Sequence, residues 1–171
     1  QVMRRLASLP GRAGRDVIIR HVLAAGEQRL LNLAVNLLVR RTDGVSLRFV
    51  CGPSALGSYH AHSMDSWASE AIRSARNPAV VPYLLEVAAD RRAKALVVGL
   101  ATRLAAELSP NDPRVAEAAF RAARDKRHEA RYLGLEALGH VGTPEAIEVV
   151  LDAAKNDRDA WLLSLMYSPT G

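Results

Sequence analysis

Cys51, His60, His62 and Asp65 fall in one short stretch of the chain, and thiol, imidazole and carboxylate are the donor types that hold zinc. Their spacing argues against it. Two histidines separated by one residue match no standard zinc pattern, and Cys51 is the sole cysteine, so no second thiol is at hand. A Cys–His nucleophilic pair would need a third group to orient the imidazole, and none is identifiable. The expectation is no metal, no cofactor, and a loop carrying surface histidines. The two tryptophans, Trp67 and Trp161, form a second group, with Asp65, Asp157 and Asp159 near them in sequence. Aromatic and acidic side chains together can hold a nucleobase, but Trp67 falls on an apolar helical stripe, where packing is the simpler role.

The elements that would position such residues are clearest from Asp112 to Val149. Pro113 suits a first helical turn, where its missing N–H would have no partner, and Asp112 can cap the free amides. Val115, Ala118, Ala119 and Ala122 recur at helical spacing on one face. After a break at residues 125–127, a second helix repeats the pattern with Ala130, Leu133, Gly134, Ala137 and Leu138. It ends between Gly139 and Gly142, where glycine can take the left-handed cap. Neither helix can bury its stripe alone.

Superposing Pro78, Pro113 and Pro144, which lie 35 and 31 residues apart, brings further columns into line. Ten residues on stand Ala88, Ala123 and Ala154; twelve on, Asp90, Asp125 and Asn156; fourteen on, Arg92, Arg127 and Arg158. Gly99 and Gly134 share a later column, and Trp161 stands in one otherwise held by Ala95 and Ala130. Such spacings belong to two-helix repeats. On these residues, in the stretches NPAVVPYLLEVAADRRAKALVVGLATRLA, DPRVAEAAFRAARDKRHEARYLGLEALGHVG and TPEAIEVVLDAAKNDRDAWLLSL, the chain resembles HEAT-like repeat proteins of the short bacterial kind also seen in phycobilin lyases. The resemblance covers roughly half the chain. It implies an all-α, armadillo-like solenoid wound as a right-handed α-α superhelix, and says little about activity. Met166-Tyr167-Ser168-Pro169 replaces the small-residue ending in the third copy.

Residues 1–41 are expected to hold a partial repeat and one helix pair, 42–62 an irregular insertion, and 63–171 an extra helix and about three repeats. The whole is expected to be one segment of a longer chain. In the first pair, Asp16 to Ala25 and Glu27 to Arg41 are the expected helices. The alternation of Val45, Leu47 and Phe49 with Ser46, Arg48 and Val50 predicts a strand inside the insertion. Ser63 is the predicted cap of a helix reaching Arg76.

At 171 residues, 49% hydrophobic and 24% charged, the chain can bury a core of its own. Only 5% is aromatic, so alanine, leucine and valine must fill that core. No signal peptide and no apolar run of membrane length is present, which sets a cytoplasmic location without membrane contact as the expectation. The net charge of +5 lies wholly in residues 1–50, which hold nine arginines against three acids. An anionic partner would suit that excess, although the basic residues are not interleaved with stacking aromatics.

With no complete catalytic constellation, a non-enzymatic function is expected. Second helices of such pairs line the concave face in the resembled family, so the polar stripes Arg29, Asn32, Asn36, Arg40 and Glu129, Tyr132, Glu136, His140 are the candidate binding surface. The expected function is a protein-binding scaffold or regulatory module with a protein or peptide partner. The second reading is a nucleic-acid-binding protein similar to HEAT-like alkylpurine DNA glycosylases, which hold a damaged nucleotide with aromatic and acidic residues. The third is a module like the chromophore lyases.

Overall fold

The computed structural model describes residues 12–58 and 66–155, and every regular element in them is helical. In order these are α1 (Arg12–Ala25), α2 (Gln28–Leu38), α3 (Gly44–Cys51), α4 (Pro53–Leu56) and α5 (Trp67–Ala75). A 3-10 turn at Pro78–Val80 leads into α6 (Val81–Ala89), followed by α7 (Ala95–Leu108), α8 (Pro113–Ala123), α9 (His128–Val141) and α10 (Pro144–Lys155). Helix α2 packs on α5, α5 on α7 and α7 on α9; a second series runs from α3 to α6 and from α6 to α8. No helix among the described residues is long and apolar enough to cross a membrane. The expected partial repeat before residue 10 and the second half of the third aligned copy lie outside the described residues.

Helix α7 is the centre of the packing. Its sequence, ALVVGLATRLAAEL, is apolar nearly all round, the composition of a helix enclosed by others. Every residue from Val97 to Ala106 is buried, with α6, α8 and α9 around it. Small residues set the distances. A Cβ on Gly99 would stand 2.7 Å from Leu133 Cδ1 and 3.0 Å from the Glu129 carbonyl on α9, while one on Gly134 would run into the α8 backbone at Ala122 and Ala123. The glycine column therefore marks two close approaches, Gly99 of α7 against α9 and Gly134 of α9 against α8.

Most boundaries follow from capping chemistry. The Asp112 carboxylate accepts from Arg114 N (2.9 Å) to open α8, and Thr143 Oγ1 accepts from Ala146 N (3.2 Å) to open α10. Gly142, at φ +64°, closes α9. Helix α5 begins at a capping box between Ser66 and Ser69, three residues after the predicted Ser63 cap, which is outside the described residues. Helix α1 begins at Arg12, ahead of the predicted Asp16, and α2 ends at Leu38, short of the predicted Arg41.

The predicted strand is a helix. Residues 42–62 were expected to be irregular, with Val45–Val50 extended; instead α3 and α4 occupy most of the described part. Two forces override the alternation. The Asp43 carboxylate accepts from Ser46 N (3.0 Å) and Ser46 Oγ (2.7 Å), capping the free amides of a first turn. Ser46, Leu47, Val50 and Cys51 then form a helical face that is fully buried, while Val45, which the strand would have buried, is 51% exposed. Cys51 Sγ meets the Val80 carbonyl at 3.8 Å, so α3 is built into the core.

Asp43 also binds Arg15 Nη1 (2.7 Å) and Arg41 Nε (3.1 Å), tying α1 to the start of α3. Burial opposes its charge, but the Ser46, Arg15 and Arg41 hydrogen bonds outweigh that and hold its carboxyl well below the usual range. Because the folded pKa is the lower one, this stabilisation is complete above the ordinary carboxylate pKa of about 3.9 and is lost as pH falls through that value toward the folded one. Thermal melting should therefore weaken below about pH 4, and Asp43→Asn should flatten the dependence while lowering stability at neutral pH. An unchanged acid limb in the variant would assign the effect to other carboxylates.

Gly134→Ala is expected to destabilise by about 1–3 kcal/mol in denaturant titration, because the new methyl meets backbone. Gly139, on the same helix but with open space around its Cβ direction, is the control: Gly139→Ala should be neutral or stabilising by up to about 1 kcal/mol. Equal effects at both positions would contradict the close approach.

Candidate binding surfaces

The residues singled out from the sequence occupy two separate helices. On α2, Arg29 and Asn36 are exposed and Asn32 is half-buried, while Arg40 lies in the turn after the helix. Gln28 Nε2 donates to Asn32 Oδ1 (2.8 Å), and Asn36 Nδ2 donates to the Asn32 carbonyl one turn back (2.9 Å). These local bonds give both asparagines a task within the helix, which propensity alone did not reveal. On α9, Glu129 and His140 are exposed and Glu136 is half-buried, but Tyr132 is only 8% exposed. The Tyr132 ring faces the packing against α7, and its hydroxyl donates to Glu136 Oε1 (3.1 Å). Helices α5 and α7 stand between the two sets in the series of packed helices.

What spans that gap is a ladder of alternating charge that sequence reasoning missed. Glu70 and Arg73 of α5 are 3.6 Å apart, and Arg73 Nε donates to Glu107 Oε2 of α7 at 2.7 Å. Arg103, one turn earlier on α7, meets Glu107 Oε1 at 3.3 Å and donates through Nη1 to Glu136 Oε2 of α9 at 2.9 Å. His140 Nε2 lies 3.9 Å from Glu107 Oε1. A signal was present. Arg103 and Glu107 are the only charged residues of α7, four apart, and their partners Glu136 and Arg73 lie 33 and 34 residues away. Arg103 is buried, and without these carboxylates its charge would be costly to hold there.

The matched columns at Asp90/Asp125 and Arg92/Arg127 are one turn used twice. Asp90 Oδ1 accepts from Arg92 N (2.9 Å), and Asp125 Oδ1 accepts from Arg127 N (2.8 Å). In the second turn the Arg127 guanidinium also clasps the Asp125 carboxylate through Nε (3.1 Å) and Nη2 (2.7 Å), and Nη1 reaches the Ala93 carbonyl of the preceding turn (2.9 Å). The clasp holds the Asp125 pKa down and the Arg127 pKa up, chiefly through the hydrogen bonds between them.

Of the metal and nucleophile candidates, only Cys51 lies among the described residues. Cys51 is buried, and that burial, with Glu86 nearby, pushes its thiol up to about 12, so it is protonated at neutral pH. A protonated buried thiol is neither ligand nor nucleophile. His60, His62 and Asp65 lie outside the described residues, as do Asp157, Asp159 and Trp161. Among the described residues no three of His, Cys, Asp and Glu are placed to share a metal ion. Trp67, placed by its spacing on an apolar stripe, is 42% exposed at the start of α5, while Ala68, Ala71 and Ile72 of the same stripe are buried. Comparison with protein-family models, with curated proteins and with solved structures finds no match to this chain.

Arg103→Met is expected to cost roughly 1–3 kcal/mol, since it leaves Glu136 half-buried without its cation and takes from Glu107 one of its two guanidinium partners. Arg48→Met, removing an exposed partner of Glu86 at 3.3 Å, should cost less than about 1 kcal/mol. Urea titration distinguishes them, and equal costs would show that the ladder is a solvated surface feature.

Proposed function

We propose that this chain is a segment of a HEAT-like helical-repeat solenoid that works by binding a protein partner, without a reaction of its own. One observation supports the repeat most directly: five polar links between elements recur at sequence separations of 33 to 38, with Arg15 to Asp43 shorter at 28. Asn77 Nδ2 donates to the Val39 carbonyl 38 residues back, Arg48 meets Glu86 across 38, Arg73 meets Glu107 across 34, Arg103 meets Glu136 across 33, and Arg127 reaches Ala93 across 34. A stacked two-helix unit joins each residue to its counterpart one unit on, which is what such separations express. Within that reading α2, α5, α7 and α9 are successive second helices, and α3, α6 and α8 successive first helices.

The same arrangement favours recognition over catalysis. The charges of Arg73, Arg103, Glu107 and Glu136 are spent on each other, and the sole thiol is buried, so a lyase-like reading that requires a reactive cysteine gains nothing from Cys51. Exposed Arg29, Asn36, Arg40, Glu129 and His140 remain as contact residues of the second-helix face. Affinity capture with the 171-residue chain, scored by mass spectrometry, should retain a defined protein. The triple substitution Arg29→Ala, Asn36→Ala and Glu129→Ala should release it with melting unchanged. Retention of the same partner by the variant would remove this face, and tight binding of duplex DNA with a steep salt dependence would replace the scaffold reading with the nucleic-acid one.

A further inference from the structure

Two neighbouring clefts open along the edge of the molecule formed by the turns between first and second helices. The larger, about 670 Å³, lies between the turn after α6 and the turn after α8; the other, about 440 Å³, lies between that first turn and α4, and both are bordered by Asp90. Together they pass two of these turns and α4. The floor of the larger is small and apolar, made by Ala88, Val98 and Ala122, and its rim carries Arg91, Arg124 and Lys126. Arg92 and Lys94 border the smaller one.

The carboxylates present do not neutralise that rim. Asp90 accepts the Arg92 amide within its own turn, and Asp125 is clasped by Arg127 on both oxygens. Arg124 rests over the Phe120 ring, 5.9 Å from its centroid, which holds the guanidinium in place without satisfying its charge. Among the described residues no carboxylate stands within ion-pair distance of Arg91, Arg124 or Lys126. Guanidinium forks above a shallow apolar floor suit a carboxylate on a short aliphatic stem.

From this charge complementarity the geometry points to a binding site for an acidic peptide segment, laid across the turns with its carboxylates on Arg91, Arg124 and Lys126. This deepens the protein-binding reading above by naming a partner chemistry and a second surface, and it rests on that reading. A nucleic acid fits the site less well. No aromatic side chain lines either cleft to stack a base.

The test uses the whole 171-residue chain and fluorescein-labelled peptides of alternating glutamate and alanine, with alternating glutamine and alanine as the neutral control. The acidic peptide should bind and weaken with salt, and the neutral one should not bind. Arg91→Glu, Arg124→Glu and Lys126→Glu together should lower affinity by about tenfold or more. Arg29→Glu with Arg40→Glu, reversing charge on α2, should change it less than about threefold. If the triple variant does not fold, Arg91→Gln with Lys126→Gln should give an intermediate loss. Absence of acidic-peptide binding, equal loss from the α2 reversal, or tighter binding of a DNA oligonucleotide of equal charge lost with the same three residues would overturn the proposal. Partner capture that persists while the peptide fails to bind would refute this site alone; peptide binding without any captured partner would refute the scaffold reading and leave the site.

Discussion

A guanidinium in the middle of the most enclosed helix is the constraint on which the rest of the arrangement turns. Arg103 sits on α7 among Thr102, Leu104, Ala105 and Ala106, all fully buried, where an isolated cation would be displaced by several kcal/mol of lost hydration. It is tolerated because Glu107 comes from the next turn of the same helix and Glu136 from the facing turn of α9. The pairing is sensitive to register. Sliding α9 by one turn would move Glu136 away from Arg103 and bring Tyr132 or His140, neither of them a carboxylate, to its place. A buried ion pair of this kind adds little net stability, and its physical effect is to select one alignment of α9 on α7.

Packing enforces the same alignment by a different route. Gly99 lets Leu133 and the Glu129 carbonyl close onto α7, and Gly134 lets α9 close onto the α8 backbone. These contacts fix the distance between helices, while the ladder fixes their register. At the turns Arg127 adds a third restraint by joining the Asp125 carboxylate to the Ala93 carbonyl. The packed helices are thus held at the core, along α5, α7 and α9, and at the turns.

Much of this was legible in residue types. Asp112-Pro113, Thr143-Pro144 and Gly142 announced their helix ends because capping is local chemistry, and the Gly99/Gly134 column announced close approach because glycine in mid-helix otherwise has no local reason. Residues 44–51 were misread because six residues cannot separate a period of two from one of 3.6. What decided the matter, the Asp43 cap and burial of Leu47 and Val50, involves a side-chain bond and a tertiary core. Tyr132 was placed outward by helical phase alone; its ring is taken inward by the α7 contact, and Glu136 then satisfies the hydroxyl. The Arg73, Arg103 and Glu107 ladder needed the three-dimensional neighbour relation, although separations close to the spacing of Pro78, Pro113 and Pro144 carried a trace of it.

The claim that buried charge sets the alignment of α9 on α7 is open to a double-mutant cycle on Arg103 and Glu136, using Arg103→Met and Glu136→Leu and reading unfolding free energies in urea. The exposed pair Arg48 and Glu86 serves as the reference. A coupling of about 1–3 kcal/mol is expected for Arg103 and Glu136, against less than about 1 kcal/mol for the exposed pair. Additivity of the two buried substitutions within about 0.5 kcal/mol would contradict the account.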